Sequence, residues 1–358
     1  MATTAAAASA SSIAAADDHE HRNATTPTTM RAVTQNEYGD SSALRVSELT
    51  RPEISRDEVL VEVRAAGLDR GTEHLMTGMP YLVRLAGFGL RRPKQSVLGL
   101  DVAGVVVAVG EDVTRFAVGD EVFGIASGSF AEFAAASADK LALKPSNVTF
   151  EQAAVSTVSG ITALQALVDV GRIEAGQRVL IVGASGGVGS FAVQLAKALG
   201  GVVDGIAGTA NLDFVASLGA EAVYDHRATD IAEIPSRYDL ILDIGGRNQV
   251  SKLRSLLTAN GTVVFVGGED GNSITGGIGR TVGAIVRSPF VGHRLKGLIS
   301  SEDHSFIERL ADHLEAGSVV PVIGATFPLG QAIDAVRLME AGGTRGKTVI
   351  AVTSEQTA

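Results

Sequence analysis

Between residues 178 and 299, short apolar runs alternate with stretches in which apolar residues recur every three or four positions. The runs are Val179–Val182, Val202–Ala207, Tyr238–Ile244, Thr262–Val266 and Leu295–Ile299, and helices are predicted at Val188–Leu199, Asn211–Gly219 and Val250–Leu257. Short apolar runs bounded by glycine are typical of strands that are buried on both faces. Strands that alternate with helices predict an α/β fold with a doubly wound parallel sheet and right-handed crossovers.

A more β-rich pattern flanks this region on both sides. Before it, we predict strands at Val59–Val63, Val102–Val109 and Glu121–Phe123. After it, we predict a helix at His304–Leu314, a strand near Val320, a helix at Gln331–Met339 and a strand at Thr348–Val352. We therefore expect residues 30–151 and 301–358 to form one domain, into which the α/β domain of residues 152–300 is inserted. The cleft between two such domains is a common place for a binding site.

The first 29 residues differ in composition from the rest of the chain. Residues 1–29 are rich in Ala, Ser and Thr and are predicted to be a disordered extension. Asp17, Asp18 and Glu20, together with the lack of an early arginine, are not typical of a transit peptide. We therefore expect the folded chain to begin at Met30.

Composition excludes several classes of protein. The net charge of −10 disfavours nucleic acid or an anionic membrane as a partner, and the absence of cysteine excludes disulfides and thiolate chemistry. The Gly-rich stretch Gly271–Ser288 resembles a membrane helix, but Arg280 and Arg287 favour a helix or loop over the sheet. We predict a cytoplasmic protein that acts on a small molecule.

The turn after Val182 carries the strongest chemical signal. Its sequence, GASGGVG at residues 183–189, connects an apolar run to a helical pattern. Glycines let the backbone approach a ligand closely, and the helix N-terminus presents free N–H groups that favour an anion. A purely structural glycine turn is the alternative, but the strand–turn–helix context favours a dinucleotide pyrophosphate. The predicted contacts are Ser185, Gly186, Gly187 and Val188.

Longer motifs carry a resemblance to a known family. They are VLGLDVAGVVVAVGEDVTRFAVGDEVFG at residues 97–124, the glycine turn, NLDFVASLGAEAVYD at residues 211–225 and GGTRGKTVI near the end. With them the chain resembles the zinc-free, quinone-oxidoreductase-like branch of the medium-chain dehydrogenase/reductase superfamily. The resemblance implies a GroES-like catalytic domain, a Rossmann domain, a nicotinamide cofactor and a homodimer. It also implies cofactor contacts at Thr162, Gly245, Val266, Gly267, Arg345 and Lys347.

The end of the second Rossmann strand bears on the choice of cofactor. Enzymes that prefer NAD usually place there an acidic residue that binds the ribose 2′-hydroxyl. Here that region contains Gly208, Thr209 and Asn211, which can donate hydrogen bonds to a 2′-phosphate, and Arg227 follows the next strand. We therefore predict NADPH as the cofactor. Asp204, inside the second strand, is interpreted as an edge or water-contacting position.

The resemblance also bears on metal chemistry. Where alcohol dehydrogenases of this superfamily place a catalytic cysteine and a His-Glu pair, this sequence has Asp69, Leu100 and Asp101. Leucine cannot bind zinc, and a structural zinc lobe would need cysteines. We predict that no metal is required.

Without a metal, the expected chemistry is hydride transfer to a carbon that conjugation makes electrophilic. We predict an NADPH-dependent, zinc-independent reductase of quinones or α,β-unsaturated carbonyls. Candidate donors to the developing oxyanion are Tyr81 and His74 in the loop from Asp69 to Arg92, with a packing role as the alternative for Tyr81. Two other functions stay open: a zinc-free carbonyl/alcohol oxidoreductase, and a regulatory protein that binds NADPH without turnover.

Overall fold

The computed structural model describes residues 28–268, 273–342 and 344–352. The predicted disordered extension is residues 1–29, and residues 1–27 of it lie outside the described residues. The start of the stretch Gly271–Ser288 and residues 353–358 also lie outside them. The first strand begins at Thr29, one residue before the predicted start of the fold.

The strands are named here in chain order. They are β1 (Thr29–Thr34), β2 (Arg45–Thr50), β3 (Glu58–Leu68), β4 (Asp101–Val109), β5 (Glu121–Ile125), β6 (Phe133–Ser137), β7 (Leu141–Leu143), β8 (Arg178–Val182), β9 (Val202–Ala207), β10 (Ala222–Asp225), β11 (Tyr238–Asp243), β12 (Leu257–Phe265), β13 (Arg294–Gly297), β14 (Ile323–Pro328) and β15 (Lys347–Ala351).

The α-helices are numbered in the same way. They are α1 (Arg70–Thr77), α2 (Tyr81–Val83), α3 (Phe150–Ala154), α4 (Thr157–Gln165), α5 (Gly187–Ala198), α6 (Leu212–Ser217), α7 (Val250–Ser255), α8 (Ile278–Arg287), α9 (His304–Glu315) and α10 (Ala332–Glu340).

The middle of the chain forms a six-stranded parallel sheet in the order β10-β9-β8-β11-β12-β13. The strand order changes direction at β8, because β9 and β10 lie on one side of it and β11, β12 and β13 lie on the other. In β8, Val179, Leu180 and Ile181 are fully buried, as expected for a strand covered on both faces. The predicted Rossmann-type sheet is confirmed. In sheets of this kind, ligands bind at the carboxyl ends of the strands beside the point where the order reverses.

The second sheet joins the two ends of the chain. Its order is β14-β15-β3-β4-β5-β7, with β6 also paired to β3, and β1 pairs with β2 in a separate ladder. β15 comes back antiparallel to β3, so that Thr348 lies opposite Leu68. The predicted β-rich GroES-like fold is confirmed, while the limits 151/152 and 300/301 stay predictions.

Helices α3 and α4 lead from one sheet to the other. A capping box between Thr149 and Gln152 starts α3. Gly160 in α4 allows α9 to pack closely, since a Cβ there would lie 2.6 Å from Leu310 Cδ2. This packing places the first turns of α4 at the cleft between the two sheets.

Three local expectations were wrong. Val320 is not in a strand, because its N–H binds the Gln194 side chain and Pro321 follows it; the strand begins at Ile323. Helix α7 ends at Ser255 instead of Leu257, which already belongs to β12. Asp204 is not at an edge, because β9 lies between β8 and β10 and the residue is fully buried.

Asp204 has a structural role inside the parallel sheet, where it binds the first residues of β8, β10 and β11. Its carboxylate accepts hydrogen bonds from Arg178 Nη2 at 2.7 Å, from the Tyr238 hydroxyl at 2.8 Å and from the Ala222 N–H at 3.3 Å. A buried acid needs such partners. They account for the acidic residue that the sequence left unexplained.

Candidate functional site

A cavity of about 1100 Å³ lies between the carboxyl ends of the parallel strands and the GroES-like domain. Both domains contribute to its wall, with α1 and the start of β15 on one side and the ends of β8, β11 and β12 on the other. Its size is at the upper end for cofactor and ligand sites. The cavity is therefore large enough for a dinucleotide together with a small substrate.

The glycine turn forms one part of this wall. Gly183 has a φ of +88°, which favours glycine, and a Cβ on Gly189 would lie 2.1 Å from the Gly183 carbonyl oxygen. A Cβ on Gly187 would instead lie 3.0 Å from Lys347 Cδ and 3.1 Å from Ser159 Oγ, at the cavity. Gly189 therefore serves the fold of the turn, whereas Gly187 keeps space open beside the N-terminus of α5.

The predicted cofactor residues divide into two groups. Eight of them line the cavity, namely Thr162, Gly186, Gly187, Val188, Gly245, Val266, Gly267 and Lys347. The other six, Ser185, Gly208, Thr209, Asn211, Arg227 and Arg345, lie outside its wall. Ser185 and Asn211 still lie together beside the turn, with Asn211 Nδ2 3.4 Å from Ser185 Oγ. The turn, Thr162 and the ends of β11 and β12 are thus brought to one continuous surface, which fits a dinucleotide.

The ends of β9 and β10 show contacts that sequence reasoning missed. Thr209 Oγ1 donates to Asp225 Oδ2 at 2.5 Å, and the Arg227 N–H donates to Asp225 Oδ1 at 2.9 Å. The Thr209 hydrogen bond lowers the pKa of Asp225, so this carboxyl is ionised at neutral pH. His226 lines the cavity and lies beside Gly208. A Cβ atom on Gly208 would be 3.4 Å from His226 Nε2. Since the carboxyl ends of adjacent parallel strands meet at one edge, the Tyr-Asp-His-Arg run at the end of β10 could have indicated this.

The other end of the chain reaches the same region. Arg345 Nη2 donates to the Ala210 carbonyl at 2.5 Å, and the Gly346 N–H donates to the Ser185 carbonyl at 3.3 Å. A cation from the GroES-like domain therefore lies beside position 210, where the sequence itself supplies only alanine.

A buried group of three charged side chains lies where β3, β4 and β15 meet the cavity. Asp101 and Lys347 are almost fully buried, and Lys347 Nζ lies 3.5 Å from Asp101 Oδ2. Asp101 Oδ1 accepts the Val158 N–H at 2.8 Å. Burial raises the pKa of Asp101 to about 8; Lys347 opposes this shift, and Asp69 adds to it. Lys347 thus favours the ionised form of a buried acid, in addition to lining the cavity.

Asp69 belongs to the same group. It is 8% exposed and caps α1, with Oδ1 accepting the Thr72 N–H at 2.8 Å. Its Oδ2 is buried and has no hydrogen-bond partner among the described residues. Asp69 also lines the cavity. Asp69 therefore belongs to the wall of the candidate site, while its second carboxylate oxygen is buried and has no hydrogen-bond partner among the described residues.

The two predicted oxyanion donors differ in position. His74 lines the cavity, and its Nδ1 lies 2.9 Å from the Met79 carbonyl oxygen, so Nδ1 is the donor of this hydrogen bond. Tyr81 is outside the cavity wall, 46% exposed, with its ring 4.8 Å from the Arg84 guanidinium carbon. Its position corresponds to the packing alternative, and a catalytic role for Tyr81 stays a prediction. Arg84 is held by the Gly78 carbonyl at 2.9 Å.

A second buried ion pair lies under the cavity. Asp243, the last residue of β11, is fully buried and binds Arg280 of α8, whose Nη2 also donates to the Asn248 carbonyl at 2.8 Å. Burial raises the pKa of Asp243, and Arg280 counteracts that effect. This pair fixes α8, which supplies Ile278, Thr281 and Ile285 to the cavity wall.

The donor set does not fit a zinc ion. Within residues 28–268, 273–342 and 344–352, His, Cys, Asp and Glu side chains form no group of three that could hold a metal. Leu100 has no donor atom, and the sequence has no cysteine for the tetrahedral sites typical of zinc. The same described ranges contain no helix long and apolar enough to cross a membrane.

Comparison with known proteins agrees with this architecture. The profile of the family "Alcohol dehydrogenase GroES-like domain" matches residues 55–146, and that of "Zinc-binding dehydrogenase" matches residues 218–350. The chain is 31% identical to an Arabidopsis thaliana protein named "NADPH-dependent alkenal/one oxidoreductase, chloroplastic", over 92% of this chain and 81% of that protein. It is 30% identical to a Homo sapiens quinone oxidoreductase, over 91% of this chain and 99% of that protein.

A solved structure shows the same likeness in three dimensions. The quinone oxidoreductase from Coxiella burnetii superposes with a TM-score of 0.79 at 28% identity, covering 91% of this chain and 100% of that one. Because the likeness extends over nearly the whole length of both proteins, it includes both sheets and the cleft between them. The chain therefore belongs to the medium-chain dehydrogenase/reductase superfamily of oxidoreductases, among its quinone-oxidoreductase-like members.

Proposed function

We propose that this chain is an NADPH-dependent, zinc-independent oxidoreductase that reduces quinones or α,β-unsaturated carbonyl compounds. One observation carries the proposal: a single cavity extends from the glycine turn to Asp69 and His74 on the opposite domain. A nicotinamide and an electron-poor acceptor would therefore meet between the two domains. Relatives named for the reduction of alkenals, enones and quinones support this choice of acceptor.

NADPH, when bound, supplies the hydride. Gly186, Gly187 and the first turn of α5 would hold the pyrophosphate with backbone N–H groups. Gly245 and Gly267, at the ends of β11 and β12, would border the nicotinamide. The protein contributes orientation, exclusion of water and hydrogen bonding to the oxygen that gains charge.

Two arginines and a histidine near the end of β9 support the preference for NADPH. Arg345 lies against Ala210, and His226 and Arg227 follow β10 directly. Asp225 is the acid that could instead bind a ribose hydroxyl, but Thr209 occupies its Oδ2. We therefore propose that the 2′-phosphate is bound between these side chains and that NADH binds more weakly.

The test is a panel of acceptors with purified enzyme and NADPH: a quinone, an enone and a simple aldehyde, each with and without a chelator. Oxidation of NADPH by the quinone or the enone, unaffected by the chelator, is the expected result. Turnover of the aldehyde alone would favour a carbonyl reductase, and cofactor binding without any turnover would favour a regulatory protein. Activity that is lost on chelation and restored by zinc would contradict zinc independence.

We also propose that the enzyme is a cytoplasmic homodimer. In the described residues β13 is the end strand of its sheet and pairs only with β12, so it leaves an edge to which a second copy could add. Sedimentation at micromolar concentration measures the mass, and a mass of one chain would contradict the dimer.

A further inference from the structure

Helix α8 contributes a row of apolar side chains to the cavity. Ile278, Val282 and Ile285 recur at helical spacing, so they lie on one face of the helix, and all three line the cavity. They are 50%, 52% and 42% exposed in the part of the chain that the structure describes. The two charged residues of α8, Arg280 and Arg287, lie outside the cavity wall. An exposed apolar surface of this kind marks a place where a ligand or a partner binds.

The packing of α8 places this row at the β13 end of the parallel sheet. A Cβ on Gly297, the last residue of β13, would lie 2.7 Å from Thr281 Cγ2, so α8 packs directly on this strand. β13 is at one end of the sheet, and β10, which precedes His226, is at the other. The apolar row is therefore at the opposite end of the sheet from the side chains proposed to bind the 2′-phosphate.

The start of α8 lies beside the place proposed for the nicotinamide. A Cβ on Gly268, which follows Gly267, would lie 2.6 Å from Gly277 Cα, just before the helix. A Cβ on Gly276 would lie 3.0 Å from Pro80 Cγ of the GroES-like domain. The beginning of α8 is thus held between the end of β12 and the opposite domain. An acceptor within reach of the nicotinamide would therefore have the apolar row next to it.

Two residues after β13 continue the row. Leu298 and Ile299 line the cavity, and Ile299 is 95% exposed. The next residue, Ser300, has its Oγ 3.5 Å from Thr162 Oγ1, so this segment reaches α4. Together with the α8 row, the two residues form what is called here the apolar wall, which consists of Ile278, Val282, Ile285, Leu298 and Ile299.

We propose that the apolar wall binds an extended alkyl group of the acceptor and makes the enzyme selective for long-chain enones. This inference rests on the proposed function and specifies its substrate class as an α,β-unsaturated ketone whose alkyl chain runs along α8. At a rise of 1.5 Å per residue, the row from Ile278 to Ile285 spans about 10 Å, which suits a chain of several methylene groups better than a single methyl group. Such a chain gains binding free energy from apolar contact and needs no polar partner.

Two enones with the same reacting group test the selectivity. But-3-en-2-one carries a methyl group on its carbonyl and oct-1-en-3-one carries a pentyl group, so they differ in chain length and not in the carbon that accepts hydride. We expect kcat/KM of the wild-type enzyme to be more than about 10-fold higher for the longer enone, because each methylene that the wall covers adds to binding. Equal values of kcat/KM would overturn the inference.

The variant Val282→Asp places a carboxylate in the middle of the apolar wall. Because Val282 is half exposed, the change should leave the fold intact. We expect kcat/KM for oct-1-en-3-one to fall by about 10-fold or more through a higher KM, because an alkyl chain against a carboxylate would desolvate it. The values for but-3-en-2-one and the affinity for NADPH should stay the same. A purely structural role of Val282 would change both enones equally.

Val286→Asp is the matched control. Val286 is the same residue type one turn further along α8 and is 64% exposed, but it lies outside the cavity wall. This variant should keep the preference for the longer enone. An equal loss with both enones in Val282→Asp would overturn the inference. Loss of the preference in both variants, together with a smaller mass in sedimentation, would assign the apolar row to a contact between copies of the chain and would overturn it as well.

Equilibrium binding separates this inference from the proposed reaction. Octan-3-one, which has no C=C bond to reduce, is titrated by calorimetry into the enzyme with NADP⁺. We expect wild type and Val286→Asp to bind it more tightly than Val282→Asp by about 10-fold, with the negative heat-capacity change of apolar burial. This result in an enzyme that reduces neither enone would overturn the proposed function and support the apolar site. An enzyme that reduces but-3-en-2-one without binding octan-3-one would overturn the apolar site alone.

Discussion

At the scale of single residues, two glycines of one turn have different tasks. A Cβ on Gly189 would collide with the Gly183 carbonyl oxygen at 2.1 Å, inside the protein. A Cβ on Gly187 would point into the cavity towards Lys347 and Ser159. The spacing of glycines in the sequence shows that the backbone turns here, but it does not distinguish these two roles.

We predict that Gly187→Val abolishes NADPH binding with a modest effect on folding, because the side chain occupies the space beside the N-terminus of α5. Fluorescence titration and thermal unfolding measure the two effects separately. Gly189→Ala is the comparison and should lower the melting temperature more than Gly187→Val does. Retained NADPH affinity in Gly187→Val would show that the pyrophosphate lies elsewhere.

The buried acid Asp101 predicts a pH dependence of stability. Its pKa is raised to about 8 in the folded protein, against about 3.9 for an unperturbed aspartate. The folded state therefore binds more protons than the unfolded state between these values, and the free energy of unfolding falls as pH rises through this window. In Asp101→Asn this part of the fall should be missing.

Urea unfolding at pH 5, 6, 7 and 8 measures this effect. The asparagine carbonyl still accepts the Val158 N–H, so the variant keeps the hydrogen bond of the wild type. The free energy of unfolding of Asp101→Asn should be flatter across the series than that of the wild type. Parallel curves would mean that Lys347 keeps Asp101 ionised throughout. The sequence could not reveal this pair, because 246 positions separate the two residues.

At the scale of elements, apolar patterns predicted the central strands of the parallel sheet well, but they missed the exposed β2 and the mostly buried β1 and β6. β8, β9 and β11 are apolar runs with few exposed side chains, and their positions follow from the sequence. The sequence did not predict β2, because its residues are exposed or only half-buried and its apolar and polar residues do not alternate clearly. β14 was displaced because the apolar pair Val319 and Val320 ends at Pro321.

Helix α8 depends on one buried ion pair, and this gives a prediction at the element scale. Arg280→Met leaves Asp243 fully buried without its counter-charge, which should destabilise the protein by about 3 kcal/mol near neutral pH. The loss should grow with pH, because the isolated carboxyl must be ionised against burial. Urea unfolding of the single variant measures it.

The double variant Arg280→Met with Asp243→Asn is the control, since it removes both charges. It should recover most of the lost stability if the unpaired carboxylate is the cause. A double variant as unstable as the single one would assign the loss to the packing of Arg280 over the Phe265 ring, 5.0 Å away.

At the scale of the whole molecule, the insertion of one domain into another follows from the order of patterns along the chain. A β-rich pattern before the α/β region returns after it, and β15 pairs with β3 as that return requires. What the sequence could not provide is the side of the cleft that each loop faces. Tyr81 and His74 are seven residues apart, yet of the two only His74 lines the cavity, although Pro80, directly before Tyr81, lines it as well.

Because both domains line the cavity proposed to hold the cofactor, NADPH should stabilise them together. A ligand that binds only the folded state at a hundred times its Kd contributes about 2.7 kcal/mol, which for a chain of this size is roughly 4 °C in Tm. We predict one cooperative transition that moves up by this amount with NADPH, and a smaller shift with NADH at the same concentration. Differential scanning calorimetry with Gly187→Val as the unresponsive control measures it. Two transitions, of which only one moves, would show that the cofactor contacts the Rossmann domain alone, and Lys347 and Arg345 would then have no part in binding it.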